Sequence, residues 1–132
     1  MNAVAVGETD LQRLLAGLAP ELVAQPRAIR SQPVDGPVPI DAVMLFRERE
    51  GTTVVVAVDD TQDETLWAQI TLRIHSSLEA VGMLAAIAGA LAARDIPCNA
   101  VSAYYHDHLF VPWTRRDEAI DALRELSDGN RT

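Results

Sequence analysis

The sequence predicts an α+β fold, and the region from Trp67 to Trp113 carries the clearest pattern for it. This region consists of a strand pattern, a long apolar helix pattern and two further strand patterns separated only by a short turn. A second helix pattern follows. Strands joined by a short turn pair antiparallel, so this order predicts an antiparallel sheet with helices on one face.

The first strand of this region is predicted from Trp67 to His75. Its apolar residues at positions 68, 70, 72 and 74 alternate with residues of other kinds. Alternation with a period of two is typical of a strand that buries one face. The pattern places His75 on the face opposite Ile74, at the end of the strand.

A long helix is predicted from Ser76 to about Arg94. Ser76 and Glu79 have the spacing of a capping box, which marks the first turn of a helix. Glu79 is the only charged residue before Arg94, so apolar residues occupy every side of this helix. Such a helix is usually covered on more than one side, which predicts contact with the sheet and with a second helix or subunit.

Beyond this helix the chain returns to the sheet. Strands are predicted at Cys98–Tyr105 and His108–Trp113, with a two-residue turn at His106–Asp107 between them. A final amphipathic helix is predicted from Thr114, as its cap, to about Ser127.

The first half of the chain has a less regular pattern. Residues 1–8 predict a frayed end, Asp10 is suited to cap a short helix that ends at Leu18, and residues 59–65 form a polar hinge. We therefore divide the chain into an N-terminal half, residues 1–62, and a C-terminal domain, residues 63–132. Strand candidates in the first half are Arg27–Gln32, Ala42–Glu48 and the β-branched run Thr53–Val58.

Composition restricts the partners that the chain can have. A net charge of −8 opposes binding to nucleic acid, because phosphate contacts need a basic surface. The single cysteine excludes an internal disulfide bond and gives no zinc-ligand pattern. The chain begins without a signal-peptide pattern, and its long helix is too weakly hydrophobic for a bilayer. We expect a cytoplasmic protein without a cofactor that binds neither nucleic acid nor membranes.

The second half has the order β-α-β-β-α, which is one strand short of the ferredoxin-like order β-α-β-β-α-β. Residues 128–132 are polar and too few to supply the missing strand. The best spare strand in the N-terminal half is Thr53–Asp59. We therefore infer that the N-terminal half contributes to the sheet, or that a partner molecule does.

Two motifs in the second half, HSSLEAVG and YYHDHLFVP, resemble ACT-domain proteins of the DUF2241 type. In the first half, LLAGLAPEL and FREREGTTVVVAV are similar to the same family, so the resemblance extends from Leu11 to Leu126. It implies a ferredoxin-like (βαββαβ) ACT fold with two ACT-like halves. It also implies binding of an amino acid or similar metabolite at a domain interface, regulation of an enzyme, and pairing into a homodimer.

The loop after the first strand of the second half is the candidate ligand site, because ligands of ACT domains often lie near this loop. A helix N-terminus offers unpaired backbone N–H groups and a positive dipole end to a carboxylate. Hydroxyl groups add donors, and Glu79 is suited to meet an ammonium group. The alternative is that Ser76 and Glu79 only cap the helix and that Gly82 only allows close packing. The candidate residues are His75, Ser76, Ser77, Leu78, Glu79 and Gly82, with Asn99 as a lesser candidate.

The segment from Tyr104 to His108 has three interpretations. Its histidines and Asp107 are metal-ligand types, but neighbouring residues of a strand point to opposite faces. Ser77, His106 and Asp107 supply the residue types of a catalytic triad, without a supporting motif. We favour a structural hairpin with no metal, in which Asp107 bonds the turn backbone and the tyrosines pack at an interface. A ligand contact by His106 or His108 is the functional variant of this interpretation.

Two functions remain from this pattern. One is a small-molecule sensor, with an amino acid as the expected ligand, that acts on a regulated partner or through its own oligomer. The other is a structural or protein-interaction module without a ligand. We expect no enzymatic activity.

Overall fold

The computed structural model describes residues 7–60 and 63–131, and these residues contain three α-helices and seven strands. In chain order the elements are α1 (Leu11–Ala16), β1 (Pro20–Leu22), β2 (Arg27–Gln32), β3 (Met44–Arg47), β4 (Thr52–Ala57), β5 (Trp67–Leu72), α2 (Met83–Ala92), β6 (Asn99–Ser102), β7 (Asp107–Pro112) and α3 (Arg116–Gly129), with a 3-10 turn at Trp113–Arg115.

All seven strands belong to one sheet in the order β3-β4-β2-β5-β7-β6, and β1 pairs with β5. Neighbouring strands run antiparallel throughout. The two halves of the sheet repeat one arrangement, β3-β4-β2 and β6-β7-β5, so β2 and β5 lie in the middle. The second half places α2 after its first strand, whereas the first half has a loop at residues 33–43 in that position.

Strand β1 supplies the strand that the C-terminal half lacks. It pairs antiparallel with β5, with Pro20 opposite Leu72 and Leu22 opposite Ile70. The N-terminal half therefore completes the sheet of the C-terminal half, which was one of the two predicted solutions. The strand expected to do so, Thr53–Asp59, is wrong, because β4 pairs with β2 and β3.

The main hydrophobic core lies between the sheet and the helices. Alternate residues of β5 and β7 point into it, because the side chains of a strand alternate between its two faces. All three helices contribute to this core, which confirms the predicted antiparallel sheet with helices on one face. Its fully buried larger side chains are Leu14, Leu18, Ile70, Leu72, Ile87, Leu91, Leu109, Val111 and Leu123.

Part of the opposite face of the sheet is also buried, because the sheet curls. Gln69, Thr71 and Phe110 point away from the helices, yet they are 7%, 6% and 3% exposed. Residues from both outer strands, Met44 of β3 and Val101 of β6, line one cavity on this face. The curled sheet therefore encloses an interior of its own, separate from the helix-side core.

The long helix starts later than predicted. Gly82 precedes it with φ of 95°, a left-handed conformation that cannot belong to a right-handed helix. The capping box at Ser76 and Glu79 is therefore wrong, and α2 begins at Met83. Asp10, by contrast, caps α1 as predicted, since its Oδ1 accepts from the Arg13 N–H at 2.9 Å.

The hairpin between β6 and β7 also differs from the prediction. Ser102 pairs with Asp107, and the Ala103 N–H donates to the His106 carbonyl at 3.1 Å. The turn is therefore centred on Tyr104 and Tyr105, and the predicted turn residue Asp107 begins β7.

Helix α2 buries Met83, Ile87 and Leu91 against the core and leaves Ala88 and Ala92 on an exposed outer face. The sheet and α3 cover its other sides. None of the helices in the described ranges is long and apolar enough to cross a membrane.

Candidate functional site

A cleft of about 140 Å³ lies where the β5–α2 loop meets the β6–β7 hairpin. It contains four of the predicted ligand residues, together with residues of the hairpin and of the first turn of α2. The lining residues are Ser76, Ser77, Leu78, Ala80, Gly82, Met83, Leu84, Ala85, Ser102, Ala103 and Asp107.

The N-terminal segment holds the loop of this cleft in place. The Glu8 N–H donates to the His75 carbonyl at 2.8 Å, and the Ser77 N–H donates to the Glu8 carbonyl at 2.9 Å. A Cβ atom on Gly7 would lie 2.4 Å from backbone atoms of Ser76 and Ser77, so only glycine allows this approach. The predicted frayed end is therefore wrong for Gly7 and Glu8, while residues 1–6 lie outside the described ranges.

Ser76 and Asp107 form a buried pair in the wall of the cleft. The Ser76 hydroxyl donates to Asp107 Oδ2 at 3.0 Å, and the two residues are 8% and 6% exposed. Asp107, Leu109 and Val111 are every second residue of β7, so they lie on the same face. The Asp107 carboxylate is therefore on the helix side of the sheet. The Ser76 hydroxyl, which was expected to cap the helix, therefore donates to a residue 31 positions away in the chain.

Ser77 makes a local turn. Its Oγ accepts from the Glu79 N–H at 3.1 Å, and its carbonyl accepts from the Ala80 N–H at 3.0 Å. The Glu79 side chain is exposed and does not line the cleft. Leu78 forms the rim and is 65% exposed.

The first turn of α2 faces the cleft without a side-chain cap. The N–H groups of Met83, Leu84 and Ala85 have no acceptor within the helix, because they belong to its first turn. The helix dipole adds partial positive charge at the same place. This part of the cleft is therefore suited to an anionic group.

The remaining predicted residues lie elsewhere. His75 packs on Tyr105 with ring centroids 5.5 Å apart, and His106 Nδ1 lies 3.3 Å from the Ile74 carbonyl. Asn99 and His108 lie on the other face of the sheet. His108 is next to Asp107 in β7, and Asn99 pairs with Phe110, which is on the same face as His108. None of the four lines the cleft.

Asp107 and Ser102 are cleft residues that were not predicted as ligand contacts. The spacing of Asp107 from Leu109 and Val111 is visible in the sequence and is that of three residues on one face of a strand. The prediction assigned Asp107 to the turn His106–Asp107 and therefore did not include it in the strand. The position of the turn therefore decided whether the acidic residue of the cleft was found.

The geometry gives no support to a catalytic triad, because the His106 ring is directed at a backbone carbonyl and Ser76, not Ser77, bonds Asp107. Burial raises the pKa of the Cys98 thiol, which disfavours the reactive thiolate. Within residues 7–60 and 63–131, no three His, Cys, Asp or Glu residues are grouped so that they could hold a metal ion.

Comparison with known proteins agrees with the repeated fold. Two family profiles, both described as ACT domain, match residues 6–73 and 67–125. A protein of unknown function from Vibrio cholerae, described as a possible transport protein, is 35% identical, with a TM-score of 0.72 over 85% of this chain and 92% of that one. A protein from Agobacterium tumefaciens is 19% identical, with a TM-score of 0.64 over 78% and 84% of the two chains, and supports the fold alone. Comparison with curated proteins finds no match.

ACT domains are in general regulatory modules that bind small-molecule ligands, and they commonly dimerise. The profile at residues 6–73 matches half of the chain, and the second profile matches most of the remainder. The predicted division between residues 62 and 63 falls beside residues outside the described ranges, and it stays a prediction. The repeated strand order and the two matches show that the chain belongs to the ACT-domain family and carries two ACT domains in tandem.

Proposed function

We propose that this protein is a regulatory module that binds a free amino acid in the cleft at the start of α2. The observation that carries the proposal is the pairing, within one small cleft, of an uncapped helix N-terminus with the buried Asp107 carboxylate. An α-amino acid carries one negative and one positive group on adjacent atoms, and these two features of the cleft are complementary to them.

The α-carboxylate would accept from the first-turn N–H groups of Met83, Leu84 and Ala85. Backbone donors at a helix N-terminus bind carboxylates without any need for a basic side chain. None of the described residues that line the cleft is a lysine or arginine, so the helix terminus is the source of positive potential that this lining provides.

The α-ammonium group would donate to Asp107, with the hydroxyl oxygens of Ser76 and Ser102 nearby in the same wall. Charge-assisted hydrogen bonds of this kind are stronger than neutral ones. Asp107 would therefore bind the ammonium group, which is the role that the sequence pattern suggested for Glu79.

The size of the cleft favours a small amino acid. Its volume of about 140 Å³ lies below the range of roughly 300–1,000 Å³ for pockets that hold drug-sized ligands. Glycine, alanine and serine are therefore the first ligands to test, and a longer side chain would have to extend past the exposed Leu78.

A thermal-shift screen of the twenty amino acids tests this function. A ligand at 100 times its dissociation constant stabilises the folded state by about 2.7 kcal/mol, which is several degrees for a chain of this size. The matched comparison is alanine against propionate and ethylamine, each of which lacks one of the two charges. We expect stabilisation by the zwitterion alone.

Asp107→Asn tests the assignment of the ammonium site. The amide oxygen can still accept from Ser76, so the fold should be largely kept while the charge is removed. The control is Asp121→Asn, which changes an exposed aspartate on α3. The response to alanine should be lost in Asp107→Asn and unchanged in Asp121→Asn. If both variants respond as the original protein does, the ligand does not bind at Asp107.

The alternative is an interaction module without a ligand. It is favoured by exposed apolar residues near the cleft, since Val81 is 81% exposed and Tyr104 and Tyr105 are about half exposed. No response to any amino acid would favour this alternative. In either case we propose a cytoplasmic homodimer that acts on an enzyme as its partner.

A further inference from the structure

We propose that the interior of the curled sheet is a second ligand site, which takes a small, neutral and mainly apolar molecule that carries one carbonyl-type acceptor. The site is the cavity of about 190 Å³ between the outer strands β3 and β6. It lies on the face of the sheet away from the helices and does not depend on the amino-acid cleft.

The walls of this cavity are apolar except at one place. Val43 and Met44 contribute from the β3 side, Val101 and Ala103 from the β6 side, and Phe110 from between them. Among the residues that the structure describes, the polar lining consists of Gln69 and His108, and none of the lining residues is charged. An apolar cavity of roughly 150 Å³ is large enough to hold benzene, so a six-membered ring with one substituent oxygen is a suitable size.

A hydrogen-bonded chain fixes the orientation of the polar groups. Arg27 Nε donates to Gln69 Oε1 at 2.9 Å, so the amide nitrogen of Gln69 faces the other way. This nitrogen donates to Thr71 Oγ1 at 3.2 Å and lies 3.4 Å from His108 Nδ1. Thr71 Oγ1 and His108 Nδ1 are 3.0 Å apart.

This arrangement favours one of the two tautomers of the neutral His108 ring. Thr71 Oγ1 already accepts from Gln69, so its own proton is free to be donated to His108 Nδ1. The Gln69 amide also points an N–H at Nδ1. With Nδ1 as an acceptor, the ring proton of the neutral histidine is on Nε2.

The histidine remains neutral at pH 7. Burial is the largest cause that lowers the pKa of His108, and the nearby His106 and Arg73 lower it further, while Asp107 opposes them. The side chain therefore offers a neutral donor, not a cation.

Nε2 has no hydrogen-bond partner among the described residues. No buried side-chain nitrogen or oxygen in the described ranges lacks a partner, so Nε2 must be reachable from open space. On this proposal, the Nε2–H of His108, a residue that lines the cavity, faces whatever occupies that space. One unpaired donor in an uncharged apolar wall is complementary to a carbonyl oxygen and not to an ammonium group.

The test uses cyclohexanone as the probe and cyclohexylamine and cyclohexanecarboxylate as matched compounds. Binding to the full chain is measured by ligand-observed NMR at pH 7, and the His108 ring nitrogens are followed by ¹⁵N NMR. We expect the neutral ketone to bind at least tenfold more tightly than either charged compound. The ¹⁵N spectrum should show the Nε2–H tautomer before binding and a shifted Nε2–H on binding.

His108→Phe keeps the bulk of the ring and removes the donor, and it should weaken cyclohexanone binding at least tenfold. His75→Phe is the matched control, since His75 does not line the cavity, and it should leave the affinity unchanged. Equal binding of the three compounds, tighter binding of the carboxylate, or an Nδ1–H tautomer in the original protein would overturn the proposal. The tautomer measurement needs no variant, so an Nδ1–H tautomer overturns the proposal even if His108→Phe fails to fold.

Discussion

Replacing Gly7 by alanine should detach the N-terminal segment from the ligand cleft. The new Cβ would lie 2.4 Å from the Ser76 carbonyl carbon and from the Ser77 nitrogen, and 2.6 Å from the Ser76 oxygen. These are backbone atoms that cannot move aside by a change of rotamer. The segment must therefore shift away from the β5–α2 loop.

The shift breaks the two hydrogen bonds that join Glu8 to His75 and Ser77. Each backbone hydrogen bond contributes about 0.5–1.5 kcal/mol net, so the free energy of unfolding should fall by about 1–3 kcal/mol. Urea denaturation measures this loss. Hydrogen exchange of the Ser77 amide shows where in the protein this stability is lost, because this N–H donates to Glu8 only while the segment is attached.

Gly89→Ala is the matched control. Nothing lies within 4 Å of its Cβ position, and the residue is inside α2. Alanine in a helix is about 0.5–1 kcal/mol more favourable than glycine, so the same substitution should stabilise the protein here. If Gly7→Ala leaves both the stability and the Ser77 protection unchanged, the contact between the N-terminal segment and the cleft does not exist in solution.

Four further outcomes are expected. Gly82→Ala should lower the free energy of unfolding by about 1–2 kcal/mol in urea denaturation, because its φ of 95° is left-handed. The pKa of His108 is lowered in the folded protein, so the unfolded chain binds the proton more readily and stability should fall as the pH drops below about 6.5. His108→Gln should reduce this dependence of the free energy of unfolding on pH, as measured by urea titrations at pH 5 and pH 7. Calorimetric titration should give one amino acid per chain, and two would contradict the assignment of a single helix cleft. Ala88→Glu, on the exposed face of α2, should convert a dimer to a monomer in sedimentation if that face forms the dimer interface.

Periodicity predicted the strands well because it reports which face of a strand is buried. The strand predicted from Trp67 to His75 is present at Trp67–Leu72, where the alternation placed it. The strand at Arg27–Gln32 was also a candidate, but its pattern is weak and periodicity does not account for it. The shortage of one strand in the C-terminal half was also informative. It predicted that the N-terminal half or a partner completes the sheet, and β1 does so.

The predictions that failed depended on contacts that are distant in sequence. Ser76 and Glu79 match a capping box, but the hydroxyl of Ser76 is bound by Asp107 and its backbone is packed against Gly7. A tertiary contact of this kind removes a cap that local sequence would otherwise favour. The conformation of Gly82 then fixes the start of the helix at Met83, seven residues later than Ser76.

The interior of the curled sheet was hidden from the sequence for a related reason. Gln69 and Thr71 alternate with apolar residues, and this pattern is typical of a solvent-facing side. Their burial results from the curvature of the whole sheet, which brings the β3 and β6 edges to one cavity. Alternation distinguishes two faces, but it does not show that both are enclosed.

The difference between the two tandem halves explains why a single amino-acid site is expected. Both halves have the same strand order, but the first half has the loop 33–43 where the second has α2. A loop has no aligned first turn of free N–H groups, so the first half lacks the feature that would bind a carboxylate. It contributes instead β1 to the sheet and Gly7 and Glu8 to the loop of the cleft. The N-terminal half thus acts as a support that shapes the site of its neighbour, and a substitution at Gly7 can change ligand affinity without altering any residue that lines the cleft.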